Sequence, residues 1–306
     1  MEPQISTHRE LALPLKLSDA QALGLKMSDL KPVTLHGRKL RGVYTSKRHT
    51  QTVTVPQWAA QDPLWWTLFT QLRTVTAGIP YAMVTGNSAA YLRGLPVQPR
   101  PQLDIAVPQH AGVIKRPGVN TFRVSNTASV EKAGLRFHDL GGILSIIARQ
   151  EPVENVVTVL DAILGPWRRP AEMTRAELQA LISSLPRGPA WSTLKHAFAL
   201  SRERVASPQE TRLRLALVRA GVPEPEVAPP VWIEKFGRFV HPDLAFSFAK
   251  LAIEYEGCHH FELTHQVLQD TERYYQLGLL GWTVIRVTSL HSFDSVVAKV
   301  KEFLGL

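Results

Sequence analysis

The chain has 306 residues, of which 44% are hydrophobic, and its 35 Lys and Arg exceed its 26 Asp and Glu to give a formal charge of +9. This composition excludes a disordered or fibrous protein, and the length predicts about two domains that each bury a core. No apolar run reaches the roughly 18 to 20 residues of a membrane span, and the first residues lack the pattern of a secretory leader. We therefore expect a soluble, cytoplasmic protein with no membrane partner. The single cysteine, Cys258, excludes an intramolecular disulfide and any zinc site with several cysteines.

The basic excess lies in the first two thirds of the chain. Residues 1–206 contain 25 Lys and Arg against 14 Asp and Glu, a net +11, whereas residues 207–306 contain 10 against 12, a net −2. Residues 31–50 are the densest basic stretch and contain no acid; their cations are Lys31, Arg38, Lys39, Arg41, Lys47 and Arg48. Such a stretch is typical of a surface that binds nucleic-acid phosphates, and a solvated basic hairpin is the alternative.

The first 140 residues predict two small modules. Residues 33–55 read as short strands after a helix-like stretch that ends near Met27, which suggests a winged-helix-like module over residues 1–55. Residues 56–140 predict a small α/β segment. Its elements are a helix over 63–75, a strand that turns into a helix over 81–94, and strands over 102–108 and 120–125.

Two local predictions concern the α/β segment. Asn87 and Ser88 are polar residues ahead of an apolar helix and are predicted to cap it. Trp65 and Trp66 are predicted to lie in the core rather than to stack on bases, because large aromatic side chains are usually mostly buried.

Residues 141–204 predict a helical connector. Apolar residues at i, i+3, i+4 and i+7 spacing define one helix face over 153–164. Thr174 and Glu177 have the spacing of a capping box ahead of the next helix, and a last helix contains Trp191 and Phe198.

Residues 205–306 predict an α/β layer domain. Ser207 is a good N-cap, Pro208 suits the first helical position, and Glu210 can bond back to the cap. The segments 236–248 and 250–257 read as two strands joined by a short turn. A helix over 266–280, a buried strand over 282–287 and a final helix follow.

Carboxylates gather on the predicted strand pair. Side chains alternate along a strand, so Glu254 and Glu256 share one face, and Asp243 in the partner strand can lie beside them. Like charges within about 4 to 6 Å disfavour ionisation unless a cation or a raised pKa relieves them, and Mg²⁺ is the simplest relief. The alternative is a solvated strand face with Lys250 and Arg238 nearby.

Several motifs of residues 205–306 together resemble a known family. The motifs are Ser207-Pro208-x-Glu210, Asp243, Glu254-x-Glu256-Gly257-x-x-His260, Asp270-x-x-Arg273 and Gly281-Trp282-x-Val284-x-Arg286. Over about residues 205–304 they look like the Vsr-like (very-short-patch-repair-type) endonuclease domain of the PD-(D/E)XK superfamily. Residues 1–200 resemble, more loosely, the N-terminal part of actinobacterial proteins that combine an abortive-infection-antitoxin-like module with this nuclease domain. TGNSAAYLRGLP and LDIAVP carry that second likeness.

The resemblance implies a restriction-endonuclease-like α/β layer domain over residues 205–306 that uses Mg²⁺ or Mn²⁺. Asp243 would be the central metal ligand with Glu254 beside it, and Glu210 would contribute from the first helix, directly or through water. His260 would act near the scissile phosphate as a base or as a charge stabiliser.

The chain departs from the superfamily pattern in one place. The E-x-K lysine is absent, and Glu256, a candidate catalytic residue and metal ligand, stands where this branch commonly has Asp. Without the lysine, His260, Arg273 or a second metal has to stabilise the developing charge. Asp270, Arg273 and Arg286 belong to the motifs that carry the resemblance and are secondary candidates. Asp270 and Arg273 at i, i+3 can instead form only a surface ion pair.

Other residues have plainer alternatives. Glu210 can be simply the N3 half of a capping box, a role that can coexist with metal binding. A zinc site of His259, His260 and His265 matches no known spacing, and Cys258 has an acidic neighbourhood that favours a packed thiol over a nucleophile.

The predicted function is a metal-dependent endonuclease of repair or of defence against foreign DNA, with double-stranded DNA as the partner. The alternative is a DNA-binding transcriptional regulator or antitoxin-like protein whose nuclease-like domain is inactive. The sequence contains no phosphate-binding loop, nucleophile elbow or dinucleotide-binding turn, so nucleotide-driven, acyl-transfer and Rossmann chemistry have no support.

Overall fold

The computed structural model describes residues 6–35, 37–168, 170–256 and 264–306, and it shows a mixed α/β protein with several separate sheets. Its contacts group the chain into two units. Unit 1 comprises Met1–Glu151 and Leu181–Leu194, and unit 2 comprises Pro152–Ala180 and Lys195–Leu306. Across the described ranges, no helix is both long enough and apolar enough to cross a membrane.

Unit 1 is built mainly of short strands. They are β1 (Ser6–Ala12), β2 (Leu15–Lys16), β3 (Lys31–Leu35), β4 (Arg38–Thr45), β5 (Thr50–Pro56), β6 (Met83–Val84), β7 (Leu103–Pro108), β8 (Val119–Val124), β9 (Ser129–Lys132) and β10 (Leu135–His138). The helices are α1 (Leu17–Ala22), α2 (Gln57–Ala60), α3 (Pro63–Thr76), α4 (Gly86–Leu92) and α5 (Leu140–Gln150). The sheet orders are β1-β5, β2-β4-β3 and β8-β7-β6-β10-β9.

The strands predicted over residues 33–55 are present, but they belong to two sheets. β3 and β4 form an antiparallel hairpin that contains four of the six basic residues, whereas β5 pairs antiparallel with β1. The preceding helix ends at Ala22 rather than near Met27, because Gly24 adopts a left-handed conformation with φ of +70°. Met27 instead begins a 3₁₀ turn. The winged-helix assignment stays a prediction.

The predicted elements of residues 56–140 are confirmed as α3, β6, α4, β7 and β8. Trp65 is buried as predicted and stacks on Phe69 with ring centroids 4.9 Å apart. The predicted cap of α4 is wrong, since the N-cap is Thr85 and Asn87 and Ser88 lie inside the helix.

A residue distant in sequence explains the missing cap of α4. The Oδ2 atom of the fully buried Asp104 in β7 accepts from Asn87 N at 3.1 Å, and Ser88 Oγ accepts from Asp104 N at 2.9 Å. The carboxylate of a neighbouring strand therefore satisfies the first turn of α4, as a capping side chain otherwise does.

Residues 141–204 are helical, as predicted, and are shared by the two units. After α5 come α6 (Val153–Leu164), α7 (Arg175–Ser184) and α8 (Pro189–Leu200). The capping box of α7 is confirmed, because Glu177 N donates to Thr174 Oγ1 at 3.3 Å and Thr174 N donates to Glu177 Oε2 at 2.8 Å. Most of α6 is buried, and the division between the units falls within α7 and α8.

Unit 2 holds the rest of the chain. Its further helices are α9 (Pro208–Arg219), α10 (Thr264–Leu279) and α11 (Phe293–Leu304). Its strands are β11 (Glu226–Val227), β12 (Val231–Ile233), β13 (Arg238–Val240), β14 (Leu244–Phe246), β15 (Leu251–Glu256) and β16 (Thr283–Thr288). The main sheet has the order β11-β14-β15-β16, with β15 and β16 parallel.

The strand predicted over 236–248 is two strands. β13 pairs with β12 in a separate two-stranded sheet, while β14 pairs antiparallel with β15. Pro242 lies between β13 and β14, and proline cannot donate a ladder hydrogen bond, so the two segments separate there. The core of unit 2 joins the main sheet to α9 and α11. Its buried residues are Leu213, Leu217, Val222, Leu244, Phe246, Leu251, Ile253, Val287, Val296 and Val300.

A buried ion pair connects α6 to α9 within unit 2. Arg214 Nη2 lies 3.0 Å from Asp161 Oδ2, and both side chains are 1% exposed. Asp161 also accepts from Thr211 Oγ1 at 2.9 Å and from Arg202 N at 2.7 Å. A buried carboxylate with three donors is well satisfied, so the pair ties α9 to α6.

We expect Asp161→Ala to lower the free energy of unfolding by about 3 kcal/mol, because it removes the buried carboxylate beside Arg214 and leaves that guanidinium with the partly exposed Glu224, 2.8 Å from its Nη1 atom, as its carboxylate partner among the described residues. Glu154→Ala is the matched control, since Glu154 also connects α6 to α9, through Arg219, at 2.8 Å and at the surface. Its loss should cost less than about 1 kcal/mol. Urea denaturation measures both variants, and equal losses would contradict the assignment.

Candidate active site

The pairing of β14 with β15 brings two of the predicted site residues together. Leu244 pairs with Ile253, so Asp243, one residue before Leu244, lies beside Glu254. Ile253 faces the core, whereas Glu254 is on the opposite face and is 4% exposed. Asp243 Oδ2 accepts from Tyr255 N at 2.7 Å, which fixes its carboxylate against β15.

Glu210 joins this site from the first turn of α9. Ser207 is the N-cap, as predicted, and its Oγ accepts from Glu210 N at 3.2 Å. The Glu210 carboxylate does not complete the capping box; it accepts from Ala206 N at 2.9 Å instead. Glu210 is 5% exposed, which makes it a second buried carboxylate near Asp243.

The carboxylates influence one another electrostatically. Burial and the charge of Asp243 raise the pKa of Glu210 to about 7. Burial and Asp243 also raise the pKa of Glu254 to about 8, although Arg273 opposes the shift. Burial raises the pKa of Asp243 as well, against the Tyr255 N–H and Arg273. The site therefore retains protons near neutral pH, and a bound cation would relieve the same repulsion.

Arg273 of α10 reaches the buried carboxylates. Its Nη1 atom lies 3.2 Å from Glu254 Oε1, whereas Nη2 lies 3.8 Å from Asp270 Oδ1. Arg273 is therefore more than a partner of Asp270 on the helix surface. The contact with Glu254 is an ion pair without hydrogen-bond geometry, and within the described residues the buried Glu254 Oε1 accepts no hydrogen bond.

Glu256 has a different environment from Glu254. Arg286 of β16 donates from Nε to Glu256 Oε1 and from Nη2 to Glu256 Oε2 at 2.9 Å. The Tyr274 hydroxyl also donates to Glu256 Oε1 at 3.3 Å. A bidentate arginine neutralises a carboxylate and occupies both its oxygens.

The predicted trio of metal ligands is therefore only partly brought together. Asp243 and Glu254 are adjacent, but Glu256 is directed to Arg286. In the part of the chain that the structure describes, no three His, Cys, Asp or Glu side chains are grouped so that they could hold a metal ion. Mg²⁺ typically uses one or two protein carboxylates and completes its shell with water and phosphate oxygens, so the carboxylates of Asp243 and Glu254 fit it chemically. The candidate His260, and with it Cys258, His259 and the side chain of His265, lies outside the described residues.

Tyr274 belongs to the site but was missed by sequence reasoning. Its ring lies under two guanidinium groups, with centroid distances of 5.1 Å to Arg273 and 5.2 Å to Arg286. Burial and Glu254 raise its pKa to about 12, so its hydroxyl stays protonated and can donate to Glu256. The spacing Asp270, Arg273, Tyr274 is i, i+3, i+4 on one helix face and is the signal that could have identified it.

The predicted nucleic-acid-binding residues lie in unit 1. The side chains of Lys31, Arg38, Lys39, Arg41, Lys47 and Arg48 are all exposed, on or beside the β3–β4 hairpin. Arg48 pairs with Asp29 at 3.4 Å while 73% exposed. A weak surface pair of this kind leaves the cation accessible to solvent.

No family model matches the chain. The chain is 25% identical over 213 residues to the uncharacterized protein MT2308 of Mycobacterium tuberculosis strain CDC 1551 / Oshkosh, an overlap of 69% of this chain and 72% of that protein. The uncharacterized protein Rv2248 of strain ATCC 25618 / H37Rv matches with the same identity and coverage. The crystal structure of RV2827C from Mycobacterium tuberculosis covers 65% of this chain and 73% of its own, at 17% identity and a TM-score of 0.36. These similarities do not assign a function.

We expect the stability of the protein to fall as the pH rises from about 4.5 to about 8. The pKa values of Glu210 and Glu254 are raised from 4.5 to about 7 and about 8, so the native state binds more protons than the unfolded state in this range. Glu254→Gln removes one of these groups. The free energy of unfolding of the wild type should therefore fall more between pH 5 and pH 9 than that of Glu254→Gln. The two falls should differ by at least about 1.4 kcal/mol, the equivalent of one pKa unit.

Urea denaturation at several pH values measures this difference. Glu302→Gln is the matched control, because Glu302 is exposed on α11. It should leave the pH profile of the wild type unchanged. A Glu254→Gln profile that runs parallel to that of the wild type would show that Glu254 does not titrate in this range.

Proposed function

We propose that this protein is a metal-dependent endonuclease that hydrolyses phosphodiester bonds of DNA at the carboxylates of unit 2. The observation that carries the proposal is the position of Asp243 beside Glu254, with Glu210 on the preceding helix, all with raised pKa values. The order α9, β14, β15, α10, β16 supports the resemblance to Vsr-like domains of the PD-(D/E)XK superfamily.

Asp243 and Glu254 are the residues that would hold Mg²⁺ or Mn²⁺. When bound, such an ion supplies a Lewis acid for the phosphate and lowers the pKa of a bound water. The chain's own groups have separate roles. The Tyr255 N–H orients Asp243, and Arg273 places a cation beside Glu254, where it can stabilise negative charge on a phosphate. Glu210, with a pKa of about 7, can hold or release a proton at neutral pH.

Arg273 thus stands in for the missing E-x-K lysine in this proposal. A guanidinium remains charged at every physiological pH, and its planar donors match a phosphate group. The ion pair with Glu254 lacks hydrogen-bond geometry, so these donors are not committed to that carboxylate.

A second candidate function is a DNA-binding regulator, antitoxin-like, in which the nuclease-like unit is inactive. The observation that favours it is the pairing of Glu256 with Arg286, which removes one of the three predicted ligands from the metal site. The exposed cations of the β3–β4 hairpin support DNA binding in both proposals.

We expect the purified protein to cleave plasmid DNA in Mg²⁺ or Mn²⁺ and to lose this activity in EDTA. Asp243→Asn should reduce cleavage at least about a hundredfold, since one change removes the central ligand and the charge that holds the metal. The control is Asp294→Asn, which changes an exposed aspartate of α11 and should retain full activity. Cleavage that survives EDTA, or equal cleavage by Asp243→Asn, would assign the activity elsewhere.

The same variants distinguish an inactive nuclease-like unit from an active one. If neither DNA nor RNA is cut and Mn²⁺ does not raise the melting temperature, the result favours a DNA-binding regulator with an inactive nuclease-like unit. If the site binds metal, a hundredfold excess of Mn²⁺ over its dissociation constant adds about 2.7 kcal/mol to the stability of the wild type. Asp243→Asn should abolish that increase, whereas Asp294→Asn should keep it.

Removal of two hairpin cations should weaken DNA binding and reduce its salt dependence. For the full chain with Lys39→Gln and Arg41→Gln, we expect the slope of log K against log salt to fall in magnitude by about 1.8, that is about 0.9 for each lost phosphate contact. The control combines Lys115→Gln with Lys132→Gln, two exposed lysines of unit 1 outside the hairpin. Fluorescence anisotropy with a duplex measures the slopes, and equal slopes for the two double variants would exclude the hairpin as the DNA-binding surface.

A further inference from the structure

Unit 1 contains a pocket that the proposed function does not use. It has a volume of about 270 Å³ and is lined by residues of β8, β10 and α5, together with residues that follow α7 and begin α8. Ile146 and Leu185 supply apolar walls, and Arg123, Arg149 and Gln109 supply polar groups. This size falls just below the roughly 300 to 1,000 Å³ of typical ligand pockets, so it suits a small ligand.

The charge of the pocket is positive and uncompensated. Arg123 and Arg149 both line it, and no acidic side chain of the described residues does. Among the residues that the structure describes, neither guanidinium has a hydrogen bond or an ion pair. The nearby carboxylate of Asp139 is engaged elsewhere, because it accepts from Gly142 N at 2.8 Å and from Asn126 Nδ2 at 3.1 Å. Two unpaired arginines in one concave surface are therefore available to an anion.

The inner wall of the pocket is held in one arrangement. His138 is 2% exposed, its Nε2 lies 3.1 Å from Asn126 O, and its Nδ1 lies 3.1 Å from Thr85 Oγ1. A carbonyl oxygen can only accept, so Nε2 carries the proton and Nδ1 accepts from the hydroxyl. Gly142 permits this packing, since a Cβ atom there would lie 2.2 Å from the imidazole ring. This buried wall of the pocket is thus preformed, whereas the side chains of Arg123 and Arg149 are exposed.

We propose that this pocket binds a small phosphate monoester, with the phosphate between Arg123 and Arg149 and the organic part against Ile146 and Leu185. A phosphate monoester carries about −1.5 to −2 charges at neutral pH, which matches two guanidinium groups with no competing acid. Guanidinium donors bind phosphate oxygens in a bidentate manner. The apolar wall distinguishes an organic phosphate from inorganic phosphate, because it offers contact to a carbon body.

The test uses the full chain and four compounds in isothermal titration calorimetry: inorganic phosphate, ribose 5-phosphate, deoxythymidine 5′-monophosphate and thymidine. We expect at least one of the two monoesters to bind with one-to-one stoichiometry, about tenfold or more tighter than inorganic phosphate and thymidine. A charge-assisted hydrogen bond is worth about 1.5 to 3 kcal/mol, which corresponds to at least about a tenfold change in affinity.

Variants locate the bound phosphate. Arg123→Gln and Arg149→Gln should each weaken the monoester by about tenfold or more. Arg136→Gln is the matched control, because Arg136 is an exposed arginine of the same unit that lies opposite Glu131 and does not line the pocket. It should bind as the wild type does. Unchanged melting temperatures show that all three variants are folded.

Several outcomes would overturn the proposal. One is the absence of binding by either monoester at about 5 mM, a concentration above the dissociation constant of about 1 mM that already corresponds to weak binding. Others are unchanged affinity in both pocket variants, or tightest binding by inorganic phosphate or thymidine. Binding of an oligonucleotide without binding of any monoester would assign these arginines to a nucleic-acid surface instead. The nuclease assay tests Asp243 of unit 2, whereas the binding assay tests Arg123 and Arg149 of unit 1. Failure of one proposal can therefore be distinguished from failure of the other.

Discussion

The register of β14 against β15 determines where the carboxylates of unit 2 lie. Leu251 and Ile253 are fully buried in the core, and Glu254 follows on the other face of the strand. A slip of one residue would exchange these faces and place Glu254 in the apolar core. The hydrophobic contacts of Ile253 therefore hold Glu254 beside Asp243, even though burial raises the pKa of both carboxylates and the charge of Asp243 raises that of Glu254 further.

Two arginines divide the two glutamates of β15 into different chemical states. Glu256 is neutralised by a bidentate contact with Arg286. Glu254 has an ion pair with Arg273 that lacks hydrogen-bond geometry, so its Oε1 atom accepts no hydrogen bond from the described residues. A hard cation is bound by carboxylate oxygens, and a bidentate arginine already occupies both oxygens of Glu256. The carboxylates available to a cation are thus those of Asp243, Glu254 and Glu210, whereas that of Glu256 is held by Arg286.

Local patterns predicted much of the fold, and long-range contacts account for most of the differences. The Ser207 cap, the Thr174 and Glu177 capping box and the apolar face of α6 depend on residues a few positions apart, and these predictions are confirmed. The cap of α4 could not be predicted, because Asp104 supplies it from another strand. The pairing of Glu256 with Arg286 depends on the parallel register of β15 and β16, which the sequence alone does not specify. The adjacency of Asp243 and Glu254 was predictable, since both lie on one hairpin-like pair.

Unit 2 is formed by two separate segments of the chain, so it cannot complete its core until the second segment has been synthesised. Its segment Pro152–Ala180 precedes the rest of the unit and is separated from it by Leu181–Leu194, which belongs to unit 1. The ion pair between Asp161 and Arg214 spans 53 residues. Ribosomes add about 5 to 20 residues per second, so α6 emerges about 3 to 10 s before the arginine that pairs with it. During that interval the buried face of α6 has no α9 to pack against, and the nascent chain exposes apolar surface that a chaperone can bind.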